Sequence, residues 1–209
     1  MTDELIIVFV KNTAIGQVKT RLAKTIGNQA ALEVYTELIK VTENALKHIS
    51  TDKRIYFSKT IEENTWLNYK KETQIGNDLG ERMKNAFNKG FQDGYKRIVL
   101  IGSDLPEITA HHLESALALL KTKQTVFGPA LDGGYYLIGQ SQPNNFVFEN
   151  KPWSQPELLK NTLSELDKKN VTYSLLETLN DIDTFEDLKA SSFYKTNIKL
   201  QKRIQELHD

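Results

Sequence analysis

Six consecutive apolar residues, Leu5 to Val10, are followed by a polar loop from Lys11 to Thr20. An unbroken apolar run of this length predicts a strand covered on both faces. The next pattern is helical: Ala31, Leu32, Tyr35, Leu38, Ile39, Thr42 and Leu46 recur on one side, with Asn28 placed to cap the helix. Arg54 to Ser58 predicts a second strand, and Thr73 to Ile75 a brief third. Asp78 then leads into a helix carrying Leu79, Met83, Ala86, Phe87 and Phe91 on one side, closed by Asp93-Gly94. Arg97 to Ile101 is a further apolar strand ended by Pro106, and Thr109 opens a helix whose apolar part spans Leu113 to Leu120. Thr125 to Phe127 predicts another strand, ending at Gly128-Pro129.

After Asp132-Gly133-Gly134 the pattern changes. Tyr135 to Ile138 reads as a strand, but the preceding segment is too short for a parallel crossover, which needs about a dozen residues. This strand is therefore expected to join the sheet antiparallel or to come from a separate layer, and the sheet to be mixed. Ser141 to Pro156 holds three of the chain's five prolines and reads as a long loop, of the kind that carries function in compact domains. Glu157 to Asp167 predicts a helix, Val171 to Leu175 a strand, Asp183-Thr184 a helix cap, and Ser191 onward one more helix. Strands alternating with helices predict an α/β fold, mostly parallel, with helices on both faces of the sheet. No repeat or linker divides the sequence, so one domain over residues 1–209 is expected, with 191–209 as its C-terminal helix.

The chain's 209 residues suffice for one sizeable core. Its 27 Lys and Arg balance 27 Asp and Glu, so no overall field favours nucleic acid or an anionic membrane, and any bound anion needs a local site. With no cysteine, thiolate nucleophiles, disulfides and zinc-thiolate sites are excluded. The start lacks a cationic leader, and its apolar run is far shorter than the ~20 residues of a spanning helix. A soluble, cytoplasmic chain is expected, and its oligomeric state is left open.

Four clusters carry candidate chemistry. The loop after the first strand gathers Lys11, Gly16, Lys19, Thr20 and Arg21, which suits a phosphate; it lacks the glycine spacing of a P-loop, and a solvated basic turn is the alternative. Asp78, Gly80, Glu81 and Arg82 form the second. There Asp78 and Glu81 fit a capping box, while Gly80 in a first helical turn suggests close approach to the backbone, with Arg82 facing the same space. Third, Gly102-Ser103-Asp104 aims a carboxylate beyond a strand end, where open α/β sheets bind ligands. Fourth are Asp132, in Asp-Gly-Gly-Tyr-Tyr, and Asp181 and Asp183, in Asp-Ile-Asp-Thr. Singly these read as turn or cap residues; converging, such acids make a hard oxygen site for Mg²⁺ or Mn²⁺ bridging phosphates. Tyr135, Tyr136, Trp66 and Trp153 are candidates for stacking or for the core, and His111 and His112 are expected at exposed helix positions.

The blocks Gly16 to Ala23, Asp78 to Met83, Gly102 to Pro106, Gly128 to Gly139 and Asp181 to Thr184, in this order, resemble the DUF2064 glycosyltransferase-like family of bacteria, also called the arsenosugar-biosynthesis-type glycosyltransferases. That resemblance implies a GT-A-like, nucleotide-diphospho-sugar transferase fold of Rossmann type with a nucleotide over the N-terminal half of the sheet. It also implies that Lys19 and Arg21 hold donor phosphates and Asp104 the metal, with Asp183 as a second metal-facing acid. The block from Asp132 through Gly133, Gly134 and Tyr135 would lie on the acceptor side. Thr13 and Ile15 stand where relatives often have prolines, which implies a less rigid first loop, and Leu105 replaces a frequent cysteine.

Three functions follow as expectations. Glycosyl transfer from a nucleotide-sugar to a small-molecule acceptor stands first, with Asp132 deprotonating an acceptor hydroxyl. Nucleotidyl transfer to a phosphorylated small molecule, guanylyltransferase-like, is the alternative, and a nucleotide-binding module without catalysis is the third. Substitution of Lys19 or Arg21 by alanine is expected to weaken nucleotide binding with little change in thermal midpoint.

Overall fold

The computed structural model describes residues 2–208. Seven strands build one sheet: β1 (Glu4–Val10), β2 (Asp52–Phe57), β3 (Lys70–Thr73), β4 (Arg97–Ile101), β5 (Thr125–Pro129), β6 (Tyr135–Gln140) and β7 (Tyr173–Leu175). They lie in the order β3-β2-β1-β4-β6-β5-β7. All are parallel except β6, which runs antiparallel to both β4 and β5. The expected mixed sheet is therefore present, and β5 and β6 form a hairpin that slots β6 between two parallel strands.

Residues of β1 alternate between two cores. Ile6, Val8 and Val10 face one that includes residues of α2 (Asn28–Leu46) and α4 (Ala110–Leu119). Leu5, Ile7 and Phe9 face another, packed with α3 (Leu79–Gln92), α5 (Leu158–Lys168) and a short 3₁₀ helix at Asn145–Phe148. Because successive side chains of a strand point to opposite faces, one fully apolar strand serves both layers. A third cluster joins α1 (Thr20–Ile26) and α2 to the C-terminal helices α6 (Phe185–Ala190) and α8 (Ile198–His208) through Leu22, Val34, Leu188 and Ile204. No helix among the described residues is long and apolar enough to cross a membrane.

Four local expectations are corrected. Thr20 to Ile26 is a helix rather than loop end, because Leu22 and Ile26, four residues apart, bury one face of it. Gly27, at φ 81°, then separates α1 from α2 and takes the cap position expected of Asn28. The third strand lies at Lys70–Thr73, a polar edge strand without the apolar signal that marks the others. The C-terminal segment is not one helix: Asn197 separates α7 (Ser192–Thr196) from α8. The loop from 141 to 156 is anchored at its start, where buried Gln140 and Asn144 exchange hydrogen bonds and Asn144 donates to Thr125.

Tyr136 lies across Gly128, where a Cβ would sit 2.3 Å from the ring's Cζ. Gly128→Ala is expected to lose about 1–3 kcal/mol by overpacking, read as a lower urea midpoint with an unchanged slope.

Candidate active site

The order β3-β2-β1-β4 reverses direction between β1 and β4, and ligands of open α/β sheets bind beyond strand ends at such a switch point. The loops leaving these two strands carry Lys11 to Lys19 and Gly102 to Asp104. One hydroxyl ties them together. Tyr35 Oη, on α2, accepts the Lys11 N–H at 2.8 Å and lies 2.8 Å from Ser103 Oγ. Burial pushes the Tyr35 phenol far above its ordinary range, so it stays a neutral hydrogen-bonding post.

Lys19 occupies the left-handed region at φ 46°, just before α1, and its side chain is only 2 % exposed. Its Nζ lies 2.9 Å from Asp104 Oδ2 and 3.9 Å from Asp183 Oδ1. Arg21, 69 % exposed, reaches Asp183 Oδ2 at 3.1 Å. Asp183 is free for this because the cap of α6 is Thr184, which exchanges hydrogen bonds with Asp187. Lys19, Arg21, Asp104 and Asp183, remote in sequence, thus share one site. Burial raises the Asp104 pKa, but the charge and hydrogen bond of Lys19 outweigh it and hold the carboxyl below the usual range.

Asp181 joins the same group. Its segment is drawn in where Leu131 N–H donates to Leu179 and Leu179 N–H to Pro129. Burial, then the charge of Asp104, followed by those of Asp183 and Asp132, push Asp181 up to about 6 against the opposing pull of Lys19. Four carboxylates, Asp104, Asp132, Asp181 and Asp183, are thus gathered here with the cations Lys11, Lys19 and Arg21. Among the described residues, no three Asp, Glu or His side chains gather closely enough to hold a metal ion by themselves.

Beside this cluster, on the α3 side of the sheet, is a cavity of about 240 Å³ that Asp104, Asp132, Gly134, Tyr135, Trp153 and Asp181 help to line. Asp132 Oδ1 accepts the Gly134 N–H at 2.9 Å, and Gly133 takes φ 88°, where a Cβ would lie 2.0 Å from the Pro156 carbonyl oxygen. The tight turn and the cavity wall are thus the same residues.

The second sequence cluster is placed differently. Asp78 caps α3 by accepting the Glu81 N–H at 2.8 Å, and Glu81 in turn accepts from Asn77. Arg82 does not face the cavity; its Nε donates to the Gly76 carbonyl. The close approach at Gly80 is made by the protein itself, since a Cβ there would lie 2.3 Å from Phe148 O and 2.7 Å from the Trp153 ring. In the first loop Lys11 is exposed and Gly16 makes the turn at φ 75°. Glu62 accepts from Asn12 and Thr13, bracing the stretch where prolines are absent. Sequence reading gave Tyr35 a core role only and passed over Glu62, whose partners lie some fifty residues away. His112 is also corrected: it is buried, accepting from Thr109 N–H and 2.6 Å from Glu177.

The profile of DUF2064, described as uncharacterized proteins conserved in bacteria, matches residues 43–155. A solved protein of Desulfovibrio desulfuricans G20, a candidate nucleotide-diphospho-sugar transferase, is 31% identical with a TM-score of 0.88, over 99% of both chains. A 2-phospho-L-lactate guanylyltransferase of Methanocaldococcus vulcanius is 26% identical, over 87% of this chain and 82% of its own. The inositol-1-phosphate CTP transferase of T. maritima shares the fold at a TM-score of 0.54 and 14% identity, over 98% and 97% of the two chains. The α/β fold is therefore that of the nucleotide-diphospho-sugar transferases and nucleotidyltransferases.

Burial of Lys19 changes one expectation. Lys19→Ala leaves Asp104 facing Asp181 and Asp183 without its cation, so a loss of about 1–3 kcal/mol is expected, less than for a fully buried pair because Asp104 is 30 % exposed. Exposed Arg21→Ala is expected to stay within about 0.5 kcal/mol. Urea denaturation of the two variants checks both.

Proposed function

We propose that this chain, which belongs to the DUF2064 family, is a nucleotidyltransferase acting from a nucleoside triphosphate onto a phosphorylated small molecule. The observation that carries the reading is the buried Lys19, held at the switch point between Asp104 and Asp183 with Arg21 beside it. A strand-end acid, a distant second acid and two cations suit a triphosphate better than an Asp-x-Asp donor site, which the chain lacks at this strand end. The similarity to a guanylyltransferase supports nucleotidyl transfer, the alternative from sequence, over glycosyl transfer, which stood first there. Glycosyl transfer is the second reading, favoured by the name given to the D. desulfuricans protein.

In the proposed step an oxygen of the acceptor's phosphate bonds to the α-phosphorus. The bond from that phosphorus to its bridging oxygen breaks, and pyrophosphate leaves with the electron pair. A phosphate oxygen is already ionised at neutral pH, so no general base is needed and Asp132 becomes a binding group. Lys19 and Arg21 neutralise charge on the departing phosphates. Asp104, with Asp181 or Asp183, would hold a Mg²⁺ or Mn²⁺ ion. The fit rests on the carboxylates gathered at this place, Asp104 and Asp181 in one cavity wall and Asp183 beside them, and on the habit of Mg²⁺ to take one or two carboxylates, completing its shell with phosphate oxygens and water. Such an ion supplies charge neutralisation at the phosphates.

A thermal-shift screen of nucleoside triphosphates, diphosphates and nucleotide-sugars, with and without Mn²⁺, tests the reading. The preferred triphosphate at a hundred times its dissociation constant is expected to stabilise the chain by about 2.7 kcal/mol. Asp104→Asn should remove the Mn²⁺-dependent part. Preference for a nucleotide-sugar, or no pyrophosphate release with any phosphorylated acceptor, overturns nucleotidyl transfer.

A further inference from the structure

We infer that the cavity beside Asp104 receives an uncharged, hydroxylated ring, so that the acceptor is a sugar phosphate and not a phosphorylated carboxylic acid. This deepens the nucleotidyl-transfer reading and rests on it for the word acceptor. At about 240 Å³ the cavity lies below the range of about 300–1,000 Å³ typical of drug-sized ligands, which suits a single small ring.

Charge decides the class. Among the described residues lining the cavity there are three carboxylates, Asp104, Asp132 and Asp181, and no Lys, Arg or His. The cations nearby stand outside that lining: Lys19 and Arg21 lie on the phosphate side beside Asp104 and Asp183, exposed Lys11 is in the first loop, and Arg82 turns to the Gly76 carbonyl. An ion at Asp104 would offset charge beside the transferred phosphate but leaves Asp132 as an anion. A second anionic group on the ligand, such as the carboxylate of phospholactate, would meet like charge with no counterion, a repulsion that discriminates strongly between partners.

Hydrogen-bonding capacity points the same way. Asp132 spends Oδ1 on the Gly134 N–H, leaving Oδ2 to accept from ligand hydroxyls. Tyr135 also contributes to the lining, its ring set edge-on to Phe127. The opposite character comes from Trp153, whose indole is seated against Gly80 and offers an apolar wall with Leu79 and Met83. Acceptors on one side and a fixed aromatic surface on the other match a ring with hydroxyls at its edge and C–H groups on its face.

The test is calorimetric binding of glucose 1-phosphate, 2-phospholactate and phosphocholine to the full chain, with Mn²⁺ present. Glucose 1-phosphate is expected to bind at least tenfold more tightly than phospholactate. Asp132→Asn should weaken it at least fivefold without loss of triphosphate binding, and Gln155→Arg, which sets a cation on the cavity wall, should narrow the gap to phospholactate. Equal or tighter binding of phospholactate, preference for phosphocholine, or no binding of any of the three overturns the inference. The two readings fail separately. Pyrophosphate release with phospholactate but not with the sugar phosphate sinks this one and upholds nucleotidyl transfer, whereas sugar phosphate binding without pyrophosphate release from any triphosphate does the reverse.

Discussion

A lysine taken out of water needs a counter-charge, and the pairing of Lys19 with Asp104 is the constraint around which this end of the molecule is arranged. The pair joins the start of α1 to the loop after β4, across 85 residues of sequence. Lys19 must adopt a left-handed backbone to turn inward, a conformation that costs a non-glycine residue free energy and persists where surrounding structure enforces it. The enforcement is visible: Val18 is buried immediately before it, and α1 packs Leu22 and Ile26 immediately after. Asp183 extends the pair into a small network that reaches the C-terminal helices.

Tyr35 gives the network its second support. A single buried phenol fixes Lys11 and Ser103, so the two loops at the switch point share a reference atom. That hydroxyl stays neutral, so this tie between them does not itself titrate. The cavity is assembled by a different device. The antiparallel β6 begins where its parallel neighbours end, so Tyr135 at a strand start meets Asp104 after a strand end.

Much of the fold was legible because its strands are apolar runs bounded by Gly, Pro and Asp. Even the antiparallel strand followed from a connection too short for a crossover. What was missed lacked such signals: α1 is seven residues long, and β3 reads Lys-Lys-Glu-Thr. At the site, position at strand ends singled out Asp104, and the gathering of Gly, Lys and Arg in the first loop brought in Lys19 as one of several. Burial could not be read there, since a Lys in a polar loop looks solvated until its partner is known. Asp183 and Thr184 both fit a cap from sequence, and only the geometry separates them. Gly80 carried a true signal of close packing but not the identity of what packs, which is the 148–153 segment of the same chain, whereas Arg82 turns to the Gly76 carbonyl.

The sheet's two margins differ in kind from its centre. β3 closes one side with a run of lysines and a glutamate, and β7 closes the other with three residues. Charged or very short margins are poor templates for a foreign strand. Growth of this sheet into a larger one by edge pairing is therefore disfavoured.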